Sequence, residues 1–455
     1  MDIRIYNTAT KKKENFVPLV QKEVGIYCCG PTVYNFAHLG NMRAFLFEDT
    51  LVRVFAHFDY RVKHVMNITD VGHLTDDGDD GEDKMLKGAK REKKTVWDIA
   101  HQYTLAFFSD CGFLNIQKPT IVCKATDHIP EMIELIQTLE KKGFTYVANG
   151  NVYFDTQKFP EYAKFANLNM DDTGKSRVEK DTFKKHPRDF VLWFTKSKFD
   201  DQAMKWDSPW GTGYPGWHIE CSAMSTKYLG ETFDIHCGGA DHIPVHHTNE
   251  IAQSKCAHDS EFARYWMHNE FLIDQTGKMA KSKGDFLTVQ TLIQKGYDPL
   301  AYRYLCAQTH YRKQIQFSFE ALDSAQAGLK NLREKIALLD DTTTGEPTTH
   351  IQSFEKAISD DLNIPKALAV VQNLLADATL GGQTKKQTIQ LFDTVLGLNL
   401  ISVSFLPKEI QELVQKRKRA REQKDFEKSD LIRDKLAQLG YKVIDSADGQ
   451  KVVRL

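Results

Sequence analysis

Val24 to Tyr27 form a short apolar run that stops at Cys28, Cys29, Gly30 and Pro31, and Thr32 to Asn41 follow as a polar turn containing glycine. Arg43 to Phe58 then carry Phe47, Leu51, Val54 and Phe55 on one stripe, the spacing of an amphipathic helix. A second apolar run, Arg61 to Ile68, ends at Thr69 and Asp70. Strand, helix, strand begins a parallel sheet, whose ligands gather at the carboxyl ends of its strands. The pattern predicts an α/β fold of the Rossmann-like kind.

Thr75 to Lys94 is acidic and then basic, with Asp76 to Asp83 followed by Lys84, Lys87, Lys90 and Arg91, and reads as a mobile solvated excursion. Helical patterning returns over Thr95 to Phe108 and over Ile129 to Lys142. Phe144 to Asp155 reads as a hairpin turning at Asn149 and Gly150, and polar residues continue to Pro187. Phe233 and Ile235 lead as a strand into Gly238 and Gly239. From Leu300 the chain reads as helices, with long amphipathic segments over Phe319 to Leu339 and Ile351 to Leu375, a bundle pattern. Lys416 to Arg421 form a basic cluster before a helix bearing Ile432, Leu436 and Leu439. Tyr441 to Leu455, with Asp448 and Gly449 at its middle, reads as a terminal hairpin. The expected division is a catalytic domain over 1–117 and 204–270, an inserted subdomain over 118–203 and a lysine-loop region over 271–318. A helical bundle over 319–400 and a small C-terminal domain over 401–455 complete it.

A chain of 455 residues exceeds a single core, so roughly two to four domains and an enclosed site are expected. The 41% hydrophobic and 27% charged content is that of a soluble globular protein, and no apolar run reaches the ~20 residues of a membrane span. Met1 leads to the charged stretch Lys11 to Glu14 without a signal-peptide core, so a cytoplasmic protein is expected. Eight scattered cysteines argue for reduced thiols, a few of them ligands. A net charge of -1 gives no global attraction to nucleic acid, so an RNA-binding face must be local.

Chemistry concentrates between Trp217 and Glu250. His246 and Glu250 fall one turn apart if Thr248 to Ala252 open a helix, and can then grip one cation. With the thiol of Cys221 they make a set suited to Zn²⁺ rather than to magnesium or calcium, though another ligand is needed. The plain alternative is a solvated His–Glu pair and a buried small thiol. Cys28 and Cys29 cannot both enter one site if their strand persists, and Cys29, beside Gly30, is the better candidate. Two further stretches suit nucleotide: His38, Leu39, Gly40 and Asn41 at the start of the first helix, and Lys278 and Lys281 in a loop bounded by Gly277 and Gly284. A helix N-terminus receives phosphate, a glycine admits flat adenine, and paired ammonium groups neutralise a triphosphate under attack.

These residues resemble the cysteinyl-tRNA synthetase family of class I aminoacyl-tRNA synthetases over essentially the whole chain. The resemblance rests on YCCGPTVYNFAHLGN (27–41), NITD (67–70), DSPW (207–210), GWHIECSAM (216–224), the stretch 233–254 and KMAKS (278–282). It implies zinc ligands at Cys29, Cys221, His246 and Glu250, and an amino-acid pocket of Gly30, Thr69, Trp217, His236 and Asp241. It implies catalytic roles for His38, Asn41, Lys278 and Lys281, and ATP binding by these with Gly40 and Ser282. Asn41 stands where many class I enzymes have a second histidine, Cys237 where glycine is usual, and Val245 and Thr248 replace the usual proline and glutamate. The acidic 75–83 stretch has no place in the minimal catalytic pattern.

The implied activity is two-step: cysteine and ATP give cysteinyl-adenylate and pyrophosphate, and the acyl group passes to the terminal adenosine of tRNA(Cys). The implied partners are L-cysteine, ATP with Mg²⁺, and tRNA, with one Zn²⁺ per chain, a monomeric state and no membrane. Zinc explains selection against serine, because a thiol with pKa near ~8.5 ligates as thiolate while a hydroxyl is far less acidic. Direct ligation replaces an editing domain, for which 118–203 is short. The rivals are a cysteine ligase acting on an amino sugar, which lacks a full anticodon-binding end, and a non-catalytic RNA-binding paralogue, which would have lost the zinc or lysine residues.

Overall fold

The computed structural model describes residues 2–72, 84–170, 182–196, 204–274, 277–278, 287–401, 408–423, 425–439, 441–446 and 449–454. Packing divides the chain into two units, one of Asp2–Lys295 with Tyr311–Gln316, the other of Gly296–His310 with Phe317–Leu455.

The first unit is built on a parallel sheet of order β11-β10-β3-β4-β5. Its strands are β3 (Glu23–Cys28), β4 (Arg61–Ile68), β5 (Ile121–Lys124), β10 (Phe233–Gly239) and β11 (Ala263–Asn269). Val24, Ile26, Val65, Ile68 and Ile235 are buried, as side chains are when both faces of a parallel sheet are covered. An antiparallel pair, β1 (Arg4–Asn7) and β2 (Lys12–Asn15), lies at the β11 edge, where Thr8 N–H donates to the Trp266 carbonyl at 2.8 Å. Two helices concern the site: α1 (Leu39–His57) after β3 and α5 (Trp217–Leu229) before β10. Cys28 pairs in register with Cys237, and Tyr27 with His236. Neighbouring residues of a strand face opposite ways, so the two pairs occupy opposite sides of the sheet. Cys28 and Cys237 meet Glu48 of α1, whereas Tyr27 meets Cys221 of α5.

A second, antiparallel sheet has the order β6-β7-β8-β9, from β6 (Thr145–Ala148), β7 (Asn151–Phe154), β8 (Phe190–Phe194) and β9 (Tyr214–Pro215). Asn149 and Gly150, at φ 47° and 84°, close the expected hairpin with the two positive dihedrals that a tight two-residue turn requires. Val152, Phe154, Phe190 and Leu192 pack in one cluster with Ile219, Phe262 and Trp266, so this sheet shares the core of the first. β5 forms one edge of the parallel sheet, paired with β4, and β9 carries the second sheet past residue 203.

The excursion read over Thr75 to Lys94 is also corrected in its basic half. Lys84–Glu92 is a helix, α2, anchored by the buried Met85, and α3 (Val96–Phe113) follows; residues 73–83 lie outside the described residues. α4 (Ile129–Lys141) and α6 (Thr248–His258) complete the helices over the sheet. Beyond it come β12 (Leu272–Asp274), β13 (Gly277–Lys278), the short α7 (Val289–Gln294) and β14 (Ile315–Gln316), with sheet order β13-β12-β14. The buried Arg43 of α1 donates to the carbonyls of Phe271 and Lys313, which ties this small sheet to α1.

The second unit is helical: α8 (Pro299–Ala307), α9 (Phe319–Ala337), α10 (Thr348–Ile358), α11 (Ile364–Ala376) and α12 (Gly382–Leu396). Phe354 and Phe392 stack in its core with centroids 4.0 Å apart. The single helix read over Ile351 to Leu375 is two, because Asp361 and Leu362 take φ of 63° and 53° and Pro365 then opens α11. At the C-terminal end, α13 (Lys408–Glu422), α14 (Phe426–Gln438), β15 (Tyr441–Ser446) and β16 (Gly449–Arg454) gather round Ile410, Leu413, Leu436, Tyr441 and Val443. Leu439, read from the sequence as part of this last helix, follows its end at Gln438 and is exposed. The expected turn residue Asp448 lies outside the described residues. Among the described residues no helix is long and apolar enough to cross a membrane.

Candidate active site and metal cluster

A cavity of about 450 Å³ opens where β3, β4 and β10 end. Gly30, Thr69, Trp217 and Asp241 line it with Cys29, Cys221 and His246, and so do His38, Gly40 and Asn41. His236 and Glu250 are fully buried behind this lining. Lys278 stands in β13, while Lys281 and Ser282 lie outside the described residues.

Gly30 is fixed by sterics, since a Cβ there would lie 1.6 Å from the Asn67 carbonyl oxygen. Its N–H donates to Asn67 Oδ1 at 2.8 Å, and Asn67 Nδ2 donates to Thr69 Oγ1 at 3.0 Å. Thr69 Oγ1 in turn donates to Glu220 Oε2 at 3.0 Å, so the hydroxyl at the cavity wall is held from behind. At the start of α1, Asn41 N–H donates to His38 Nδ1 at 3.0 Å and His38 N–H donates to Asn41 Oδ1 at 3.2 Å. This is a reciprocal cap. A ring nitrogen that accepts carries no proton, so the His38 proton resides on Nε2. The Asn41 oxygen is engaged in the cap, which leaves its amide N–H groups as donors.

Cys29, Cys221, His246 and Glu250 bring one ligand atom each within 4.8 Å of one another, and all four are buried. A π-type turn over Ile243–His247 runs into α6 and sets His246 and Glu250 on one side, with Nε2 3.3 Å from Oε1. That oxygen is buried and has no hydrogen-bond partner among the described residues, while Oε2 is met by His236 Nε2 at 2.9 Å. Burial, then the Cys221 thiol beside it, pushes the Cys29 thiol well above its ordinary range. Uncharged thiols and an orphaned carboxylate oxygen are what a cation would reconcile, and the sulfur, nitrogen and oxygen donors fit a four-ligand zinc site. The expected fourth ligand is thus brought to the other three. Cys29, His236, His247 and Glu250 form a second possible grouping that shares two of these ligands. Cys28 and Cys237 belong to neither.

Several residues around the cluster were not singled out in the sequence. His218 Nδ1 lies 2.9 Å from His246 Nδ1 and can fix that ring. Its place three residues before Cys221 on one helix was the available signal. Cys29 Sγ lies 3.4 Å from His247 Nε2, His247 Nδ1 lies 2.8 Å from His268 Nε2, and His268 Nδ1 lies 2.8 Å from Thr8 Oγ1. Burial holds both His247 and His268 well below the usual histidine range, so both are neutral. No spacing rule links Thr8 to His268, which meet only through the edge pairing of the fold.

Comparison with known proteins agrees with this geometry. Residues 15–327 match the family described as tRNA synthetases class I (C) catalytic domain, and residues 405–452 match the cysteinyl-tRNA ligase anticodon binding domain. A cysteine–tRNA ligase of Treponema denticola is 46% identical, covering 98% of this chain and 98% of its own. Cysteine–tRNA ligase 1 of Burkholderia lata is 46% identical over 99% of this chain and 97% of its own. Among solved structures, Mycobacterium tuberculosis methionyl-tRNA synthetase bound by methionyl-adenylate aligns with TM-score 0.54 at 14% identity, over 83% of this chain and 90% of that one, a likeness of fold alone. Neither the amino-sugar ligase nor the non-catalytic paralogue finds support: an anticodon-binding domain is present and these relatives are named as ligases. Matched at both ends and along its length, the chain belongs to the cysteine–tRNA ligases, ATP-dependent class I synthetases that join cysteine to tRNA.

Proposed function

We propose that Cys29, Cys221, His246 and Glu250 hold one Zn²⁺ that selects the substrate thiol, and that the neighbouring cap at His38 and Asn41 receives ATP with Mg²⁺. The observation that carries this reading is the meeting of four ligand atoms within 4.8 Å on the wall of the cavity that His38 and Asn41 also line. When bound, zinc favours a thiolate over a hydroxyl, which separates cysteine from serine where an apolar slot would manage only about a hundredfold.

Trp217, Asp241 and the backbone at Gly30 enclose the amino acid, with Thr69 held by Glu220 and His236 behind Glu250. The cysteine carboxylate attacks the α-phosphorus of ATP, giving cysteinyl-adenylate and releasing pyrophosphate. His38 Nε2–H and the side-chain amide N–H groups of Asn41 stabilise the charge that grows on the phosphate oxygens, and Gly40 leaves room for adenine. Lys278, Lys281 and Ser282 complete the phosphate contacts. The ribose of the terminal adenosine of tRNA(Cys) then takes the acyl group and AMP leaves.

The division of labour follows the sequence: catalysis in 1–117 and 204–270, an insertion over 118–203, the lysine loop in 271–318, the bundle in 319–400 and anticodon reading in 401–455. We place the enzyme in the cytoplasm as a monomer. ATP–pyrophosphate exchange with cysteine and with serine tests the site. Exchange with cysteine, at least about a hundredfold above serine, is expected. Equal rates with the two would overturn the assignment of the thiol-selecting cluster.

A further inference from the structure

On the other side of the sheet lies a second set of ligand-type side chains. Cys28, Glu48 and His64 offer a sulfur, a carboxylate oxygen and an imidazole nitrogen within 4.8 Å of one another, all buried. They come from β3, α1 and β4, three elements brought together only by the fold. Glu48 is 1% exposed, and among the described residues its carboxyl is met only by the Cys28 thiol. His64 Nε2 is buried without a hydrogen-bond partner among the described residues. The Cys28 thiol itself lies beside the thiol of Cys237, in register on β10. Buried polar groups short of partners are rare, and a carboxyl met only by a thiol, in a group with an imidazole, calls for a ligand.

We propose that Cys28, Glu48 and His64 form a second metal site, for a borderline divalent cation such as Zn²⁺, which joins α1 to the sheet. Sulfur and imidazole donors suit zinc and disfavour Mg²⁺ or Ca²⁺, which take shells of oxygen. Charge balances without any outside counter-ion. The Cys28 thiol and the Glu48 acid each release a proton, and thiolate, carboxylate and neutral His64 then match a dication. The Cys237 thiol can donate to the Cys28 sulfur. Glu48 reaches the lining of the large cavity, which gives an ion its way in.

Because the site lies apart from Cys29 and Cys221, its existence is independent of the cluster proposed to select the substrate. The test is Co²⁺ binding to the full-length protein, stripped with chelator and titrated with the metal alone. About two equivalents per chain are expected, with sulfur-to-cobalt absorption from both. Cys221→Ser should disable the substrate-selecting site yet keep the second equivalent. Cys28→Ser and the near-isosteric Glu48→Gln should each lose the second equivalent and keep the first. Cysteine-dependent exchange should stay within about threefold of the parent in both. If Cys28→Ser does not fold, Glu48→Gln carries the same test. One equivalent at saturating Co²⁺ in the parent protein overturns the proposal, as does a second equivalent that survives in Glu48→Gln.

Discussion

His38 and Asn41 hold each other across the first turn of α1, the ring accepting from one backbone N–H and the amide oxygen accepting from the other. One pair of side chains thus both caps the helix and faces the cavity. His38→Ala should lower the adenylation rate on the order of a hundredfold, with the ATP KM within a few-fold, because the lost donor acts on developing charge. Asn41→Ala should also cost about 1 kcal/mol of stability through the broken cap. Pre-steady-state exchange and denaturant unfolding separate the two effects.

The metal cluster yields a prediction that does not depend on activity. Glu250→Gln removes the charge from the orphaned oxygen and should release the metal, while His236 keeps an acceptor on the other oxygen. Metal analysis of the purified variant should find the substrate-selecting site empty, and circular dichroism should find the fold retained. Full metal retention would remove Glu250 from the ligand set.

Lys281, read from the sequence, should act on the transition state rather than on ATP affinity. Lys281→Ala is expected to reduce the adenylation rate by about 10²-fold and leave the ATP KM within a few-fold. An unchanged rate would exclude the lysine loop from the chemistry.

Asp110 of α3 is almost wholly buried, and only one of its oxygens is bonded, by Gln290 Nε2 at 3.2 Å. Burial, opposed by that hydrogen bond, raises its carboxyl from 3.8 to about 6. A folded pKa above the unfolded one means that the folded protein binds more protons between pH ~4 and ~6, so this group's contribution to stability falls as pH rises through that window. Asp110→Asn keeps the oxygen that meets Gln290 and removes the charge. Its unfolding free energy should exceed the parent's by about 1–2 kcal/mol at pH 8, and the difference should vanish near pH 4. Denaturant midpoints at the two pH values check the sign.

Ile410, Leu413, Leu436, Tyr441 and Val443 form a core of their own, so residues 401 to 455 can be removed as a block. The truncated enzyme should retain cysteine-dependent exchange within about twofold, because every residue proposed for adenylation precedes position 283. Its tRNA KM should rise and its salt dependence flatten as the phosphate contacts proposed for the exposed Lys416, Lys418, Arg419 and Arg421 are lost. Undiminished charging of tRNA would show that this end does not read the anticodon.

Much of this was legible in the sequence because the signals were local. The runs at Val24 and Arg61, the i, i+4 spacing of His246 and Glu250, and the Asn149-Gly150 turn each use physics that spans a few residues. Strand alternation allowed only one of Cys28 and Cys29 into the site and the neighbouring Gly30 favoured Cys29; the structure puts Cys29 with Cys221 and Cys28 with Cys237. The misses were contextual. Asp361 and Leu362 at positive φ break a stripe that reads as one helix, since tertiary packing sets those dihedrals rather than residue type. Met85 and Ala89 are buried one turn apart and anchor a charged stretch as a helix. The contacts of His268 with Thr8 and His247 join strand ends far apart in the chain, and no periodicity reports them.

The aromatic cluster that joins the two sheets has a consequence for biosynthesis. Phe154, Phe190 and Trp193 leave the ribosome well before Phe262 and Trp266, which share their core cluster in the folded chain. At elongation rates of about 5–20 residues per second the interval is on the order of several seconds, far longer than a hairpin takes to form. During that time the nascent chain presents a greasy, half-finished surface, and its safety rests on whatever shields newborn polypeptides rather than on its own native contacts.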